Sequence, residues 1–424
     1  MKVGVVMLVT VALGCAVPEL PPVDDVWDAD APAVSLDPTA IRPFTIDVPD
    51  EVLADLQDRI AQTRFPDEIG TDWTYGTDLV YLKELLAYWG DTFDWREEER
   101  RLNQFDQYTT RIDGLDIHFI HQRSSEANAL PLLITHGWPS SIAEFAKIIG
   151  PLTDPVAHGG RAEDAFHVVA PSVPGYGFSD KPTEPGFGPD RIADINAELM
   201  ARLGYERYGA QGGDFGSFIS RWLAYTHAPH VVGLHLNYLT GGPPPGGDNA
   251  AEALSGAELE RMRQIQAFMS ERSGYQAIQG TKPQTLGYGL NDSPAGLAAW
   301  LLQIFRWCDC DGDVEAVFTK DELLTNATIY WVTQTITSST RLYYEVRHPT
   351  ASRTLGRVEV PTAAAIFPHD VSMVPRPWAE AYYNITRWTE MAHGGHFAAL
   401  EQPDLLVDDL RAFFRDLRPT NRPQ

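Results

Sequence analysis

The chain has 424 residues, with 33 Lys and Arg against 58 Asp and Glu, for a formal net charge of −25. It is 44% apolar and carries 11 Trp, 16 Tyr and 18 Phe, so it is too rich in core-forming side chains to be a disordered polyanion. The negative balance argues against nucleic acid as a partner and against adsorption to an anionic membrane, both of which need clustered Lys and Arg. Three cysteines exclude a disulfide scaffold, and no CxxC or His cluster suggests a metal.

In chain order, Lys2 is followed by VGVVMLVTVALG and then Cys15. This apolar stretch falls short of the roughly 20 residues that span a bilayer. A positive start with a short apolar run reads as an export signal over 1–14, with Cys15 as the candidate lipid acceptor of a bacterial lipoprotein. A buried strand or a mis-started frame are the alternatives. Residues 15–41 are rich in Pro, Ala and Asp, without Lys before Arg42, and read as a solvated tether.

Globular patterning starts at Arg42. VPDEVLADLQDRIAQTRF places Val52, Leu56, Ile60 and Phe65 near helical spacing, with Pro49-Asp50 as a start signal. A second helix is expected over DLVYLKELLAYWGDTF, with Leu79, Leu82, Leu86 and Trp89 on one face. The aromatic run Trp89, Phe93, Trp95 reads as core. Apolar runs bounded by Gly and Pro then follow at 117–121, 131–139, 166–177, 208–214 and 231–239, as buried parallel strands do. Helical patterning alternates with them, for example over 190–204, so a doubly wound, mostly parallel α/β sheet is expected. A long helical stretch over 240–348 interrupts the strands and reads as a lid. Strand patterning resumes at 361–370 and 385–392, and 404–417 closes the chain as an amphipathic helix.

The chemistry starts at Gly212-Gly213-Asp214-Phe215-Gly216, at a strand end and before a helical run. This is the nucleophile-elbow pattern with Asp in place of Ser. A helix N-cap is the plainer role for Asp214. Two further motifs favour the elbow. His136-Gly137-Trp138-Pro139 ends an earlier strand, where this fold supplies one oxyanion N–H from Trp138; the other comes from Phe215. Gly394-Gly395-His396-Phe397 lies late in the chain, and Asp370 of FPHD precedes it at a strand end, matching the order nucleophile, acid, His. A carboxylate is charged at neutral pH and can displace a leaving group from saturated carbon. The resulting alkyl ester would be cleaved by water activated by His396, oriented by Asp370. Haloalkanes, haloacids and epoxides all suit this chemistry.

RPFTIDVPDEVLADLQDRIAQTRFP, YLKELLAYWGDTFDWR, IDGLDIHFIH, HGWP, VPGYGFSDKP, GGDFGS, SGYQAIQGTKPQTLGYGLNDSPAGLAAW, STRLYY, FPHD and GGHFAALEQP occur in the order seen in microsomal-type epoxide hydrolases and their fungal and insect juvenile-hormone relatives. From about Arg42 to Leu410 the chain resembles that family. The resemblance implies an α/β-hydrolase fold with an N-terminal meander domain over 42–110, a core over 111–239 and 349–424, and the lid between them. It implies Asp214 as nucleophile, Asp370 as acid, His396 as base, and Tyr275 and Tyr343 as lid donors to the epoxide oxygen, with Tyr344 one register away. It implies a small apolar epoxide and water as the reaction partners, with no cofactor and no metal. Phe215 departs from the Trp usual after the nucleophile. The mammalian membrane anchor is absent, so membrane contact would rest on a lipid at Cys15. A dehalogenase would have no use for the two tyrosines, and a non-catalytic ligand binder would not need the full set.

DCDGDVEAVFTK (309–320) resembles a calcium loop but carries Val314 at the sixth position and Lys320 at the twelfth. It is expected to be a solvated loop, with Cys308 and Cys310 as free thiols.

Overall fold

The computed structural model describes Asp37 and residues 39–70, 72–244, 250–350, 353–371 and 374–418. The segment expected to be an export signal, with Cys15, lies outside the described residues. The described residues from Thr39 onward form one compact unit.

The first elements are β1 (Arg42–Phe44), α1 (Asp50–Ala61), α2 (Leu79–Asp91) and α3 (Trp95–Leu102). Helix α1 opens after Pro49 with Asp50 and Glu51 in its first turn, where acidic groups complement the helix dipole. It stops before Phe65, which lies outside it and is exposed. Asp78 and Asp94 cap α2 and α3 by accepting backbone N–H bonds from Tyr81 and Glu97. Trp89 and Trp95 are buried, as expected of a core run.

The core alternates strands and helices: β2 (Gln107–Ile112), β3 (Leu115–Gln122), β4 (Leu130–Thr135), α4 (Ala146–Thr153), β5 (Phe166–Pro171), α5 (Pro189–Arg202), β6 (Tyr208–Gly212), α6 (Asp214–Thr226) and β7 (Val231–Leu236). Among the described residues, α7 (Gly256–Arg272), α8 (Gly274–Gln279), α9 (Pro283–Leu290), α10 (Pro294–Phe305), α11 (Lys320–Thr333) and α12 (Ile336–Arg347) form the insertion. The chain then returns through β8 (Val358–Ile366), α13 (Arg376–Tyr382), β9 (Tyr383–Glu390), α14 (Ala398–Glu401) and α15 (Pro403–Arg415).

The strands form one sheet in the order β1-β2-β3-β5-β4-β6-β7-β8-β9. It is antiparallel from β1 to β5 and parallel from β5 to β9. Of the parallel strands, β4, β5 and β7 read as mostly apolar runs because both their faces are covered, whereas the edge strand β9, YNITRWTE, is polar and partly exposed. Leu133, Val169, Ala210, Leu234 and Ala364 join one core cluster. Leu132, Ile134, Val168, Ala170, Ala363 and Ala365 join the other, under α4 and α15. Strand order reverses at β4, since β5 lies on one side of it and β6 on the other. A doubly wound sheet binds its ligands in the crevice beyond the strand ends at such a point. The peptides that follow β4 and β6 there begin with His136 and Gly213.

Residues 308–310 correct the sequence expectation. Cys308 and Cys310 are joined by a disulfide, not free. Their separation in a tight turn brings the two Cα atoms to 5.3 Å, within bridging distance. The segment that follows is not simply solvated either, because Val314 and Phe318 are buried in the main core cluster.

Candidate active site

Asp214 is the first residue of α6, separated from β6 by Gly213 alone, and takes φ +44°, a backbone conformation that costs a non-glycine residue about 1–3 kcal/mol. The flanking glycines make the turn feasible. A Cβ at Gly216 would lie 1.8 Å from the Thr135 carbonyl oxygen, and one at Gly212 would lie 2.3 Å from that of Gly216. The carboxylate is also crowded by the β4 loop, since a Cβ at Gly137 would come within 2.3 Å of Asp214 Oδ1. That approach lets the Trp138 N–H donate to Asp214 Oδ1 at 2.8 Å.

His136 orders this loop. Its Nε2 accepts from the Val173 N–H, so its Nδ1–H donates to the Gly137 carbonyl. Burial lowers its pKa to about 4, which keeps the ring neutral in that role. From the insertion, α11 clamps the same loop through Asn326 Nδ2 to the Pro139 carbonyl and Tyr330 Oη to the Ser140 carbonyl.

The loop after β8 brings in Asp370, and the loop before α14 brings in His396. Asp370 Oδ1 lies 2.7 Å from His396 Nδ1, and His396 Nε2 lies 3.3 Å from Asp214 Oδ2. Side-chain exposure is 2% for His396 and 1% for Asp370 but 21% for Asp214, so of the three the nucleophile candidate is the open one. Burial alone would disfavour the charged ring of His396. Asp370 and Asp214 outweigh it and hold its pKa well above the ordinary value.

The insertion contributes a wall of aromatic rings. Tyr275 on α8 stacks on Trp138 at 5.5 Å, and Tyr343 on α12 meets Trp138 and Phe215 edge-on at 5.6 and 4.6 Å. The rings of Tyr275 and Tyr343 also meet edge-on at 5.7 Å. Burial, reinforced by the Asp214 charge, raises the pKa of both phenols, so each retains its proton and can donate. Tyr344 points elsewhere: it is 39% exposed and stacks on His348.

Two motifs of the sequence hold these tyrosines in place. VPGYG anchors α12, since Ser338 Oγ donates to the Gly175 carbonyl and Tyr176 Oη to that of Ser339. The LGYG segment lets α9 approach α12, because a Cβ at Gly287 would lie 2.2 Å from Thr337 Oγ1.

The structure therefore brings together Asp214, Asp370, His396, Trp138, Phe215, Tyr275 and Tyr343. It adds residues that the sequence reading missed. Trp307 lies edge-on to His396 and Tyr275, Phe268 packs on Trp307, and Tyr238 lies 5.7 Å from His396. Tyr238 follows a strand end, which was a usable signal. Nothing local marks Trp307 or Phe268. Among the described residues, no cluster of His, Cys, Asp or Glu could hold a metal ion, and no helix is long and apolar enough to cross a membrane.

Two family models match the chain, one for the epoxide hydrolase N terminus over residues 41–145 and one for the alpha/beta hydrolase fold over 131–245. A Stigmatella aurantiaca protein named "Putative epoxide hydrolase" is 47% identical over 89% of this chain and 86% of its own length. Epoxide hydrolase 1 of Sus scrofa is 39% identical over 92% of each chain. The chain belongs to the epoxide hydrolases. Solved structures agree with that assignment. The juvenile hormone epoxide hydrolase of Bombyx mori superposes with a TM-score of 0.82 at 32% identity, over 90% of this chain and 95% of that one. The Aspergillus niger epoxide hydrolase gives 0.80 at 33%, over 89% and 97%. This epoxide hydrolase thus has the α/β-hydrolase fold with its catalytic candidates at the strand ends.

Proposed function

We propose that the enzyme converts an epoxide to a vicinal diol through an ester on Asp214. The observation that carries this reading is one accessible carboxylate flanked by a buried His–Asp pair on one side and two protonated phenols on the other. One carboxylate oxygen attacks a ring carbon of the epoxide, the C–O bond breaks, and the departing oxygen takes a proton from the Tyr275–Tyr343 pair. Two hydroxyls suit this step because the charge develops on one atom, beside a wall of aromatic rings.

The electrostatics favour a separate role for His396. With Asp214 ionised, two carboxylates hold a proton on the ring. Alkylation removes one of those charges and weakens that hold. The released proton replaces the one given up by the tyrosine, and the neutral ring becomes the base for the second step. Water then loses a proton to His396 Nε2 and attacks the ester carbonyl of Asp214. The N–H groups of Trp138 and Phe215 would stabilise the oxyanion, and collapse releases the diol and the carboxylate.

His396→Gln separates the two steps. With an epoxide it should give one stoichiometric burst and a protein heavier by one substrate mass, the adduct lying on the Asp214 peptide. In a single turnover of wild-type enzyme in heavy-oxygen water, the diol should carry light oxygen from Asp214. Heavy oxygen in that diol would show direct attack by water and remove Asp214 as nucleophile.

We further propose, from the sequence of residues 1–15, that the enzyme is exported and held on the envelope by a lipid on Cys15. Cys15→Ala should release it from membranes or stop its processing; cytosolic native protein retaining Met1 overturns this reading.

A further inference from the structure

The second step needs His396 in register, and its loop is gripped from two sides. One side is the turn that ends α10. The His396 N–H donates to the Trp307 carbonyl at 2.9 Å, and the Gly394 N–H donates to Asp309 Oδ2 at 2.9 Å. A Cβ at Gly395 would lie 2.8 Å from the Cα of Cys308, so the two backbones touch. The Cys308–Cys310 disulfide closes that turn.

The other side is Glu401, at the end of α14. Its Oε1 accepts from the Phe397 N–H at 2.8 Å, while Oε2 accepts from Gly395 N–H at 2.8 Å and Asp309 N–H at 3.0 Å. One buried carboxylate thus ties the residues on either side of His396 to the opposing turn. The position is otherwise poor for an acid. It is buried, and it stands at the C-terminal end of a helix, where partial negative charge disfavours a carboxylate. The three N–H donors offset part of that cost, and burial still holds the Glu401 pKa above the ordinary value.

We propose that Glu401 is a positioning residue for His396, holding the base's loop against the Trp307–Cys310 turn in the register that ester hydrolysis requires. This rests on the two-step reading above. Glu401 also adds negative charge near the imidazole, alongside Asp370 after β8 and Asp214 on α6; burial raises the pKa of Glu144, before α4, to about 7, and Tyr238, after β7, is the neutral neighbour. It therefore acts through both geometry and field, and two substitutions divide these.

Glu401→Gln keeps the reach, removes the charge and turns an NH2 group toward backbone donors. In the full-length enzyme, alkylation should stay within about twofold of wild type while ester hydrolysis falls by about tenfold or more. The acid limb of the hydrolysis rate should move to lower pH, because His396 loses a neighbouring charge that favours its protonation. Glu401→Asp keeps the charge but is one methylene short. It should slow hydrolysis selectively and leave the limb in place. Equal loss in both half-reactions with an unmoved limb, or no loss in either, overturns the proposal. If Glu401→Gln does not fold, the Glu401→Asp half-reactions decide on the same criterion. Absence of any adduct in His396→Gln would instead count against the two-step reading, whatever Glu401 does.

Discussion

The nucleophile elbow and the tyrosine pair meet through the rings of Trp138 and Phe215, yet they are built in different ways. At the elbow, a five-residue segment is forced into shape by local crowding: Gly212 and Gly216 have no room for a side chain, and Asp214 takes φ +44° between them. Tyr275 and Tyr343 sit on α8 and α12, and each is held by packing against distant segments. Ser338 and Ser339 tie α12 to the 175–176 loop, and Gln279 on α8 accepts from Trp300 of α10. The difference teaches that a charge to be aimed within an ångström is placed by backbone sterics. The phenols proposed as donors to the departing oxygen are instead delivered by a packed insertion.

This contrast can be broken first at the elbow. Asp214→Asn should leave no adduct and lower turnover by roughly 10⁴-fold or more, the scale seen when a covalent nucleophile is lost. Rapid-quench analysis with intact-protein mass measurement checks this, and an initial burst in the variant would contradict it.

The insertion side should give graded losses. Tyr275→Phe and Tyr343→Phe should each slow alkylation by roughly 10²–10³-fold, about 2.7–4 kcal/mol of barrier, and the double variant should nearly abolish it. Ester hydrolysis of preformed adduct should change far less. Tyr344→Phe should behave as wild type, since Tyr344 is exposed and stacked on His348. A larger loss at Tyr344 than at Tyr343 would move the donor role by one residue.

The smallest effect on turnover is expected at an ionic cluster on the core side of the sheet. Asp409 of α15 accepts from His235 on β7 and from Arg387 and Thr389 on β9. Burial alone would raise its pKa, but these partners hold it far below the ordinary range. A depressed folded pKa contributes stability above the unfolded value and loses it as pH falls toward the folded one. Asp409→Asn should therefore cost roughly 3 kcal/mol of stability at neutral pH, with the deficit narrowing below about pH 4. Denaturant titration over pH measures this. Substantially impaired half-reactions in the folded variant would show that the cluster also tunes the site.

Much of this protein was legible from sequence because its determinants are local or periodic. Strands β4, β5 and β7 showed as mostly apolar runs, since both their faces are buried. The elbow, the HGWP loop and the GGH loop showed because each needs particular small residues beside a reactive one. Tertiary structure alone decided the rest. Glu401 and Trp307 are separated by 94 positions, yet their backbone and side-chain partners converge on the same three-residue loop around His396. The Cys308–Cys310 bond was invisible because two cysteines in an acidic stretch carry no signal of the turn that brings them together. The clamp by Asn326 and Tyr330 on Pro139 and Ser140 has no periodicity to betray it. Sequence patterns report what a residue's immediate neighbours and its face of a helix or strand require. Contacts that depend on how an insertion folds back over the sheet are decided only when the whole chain is packed.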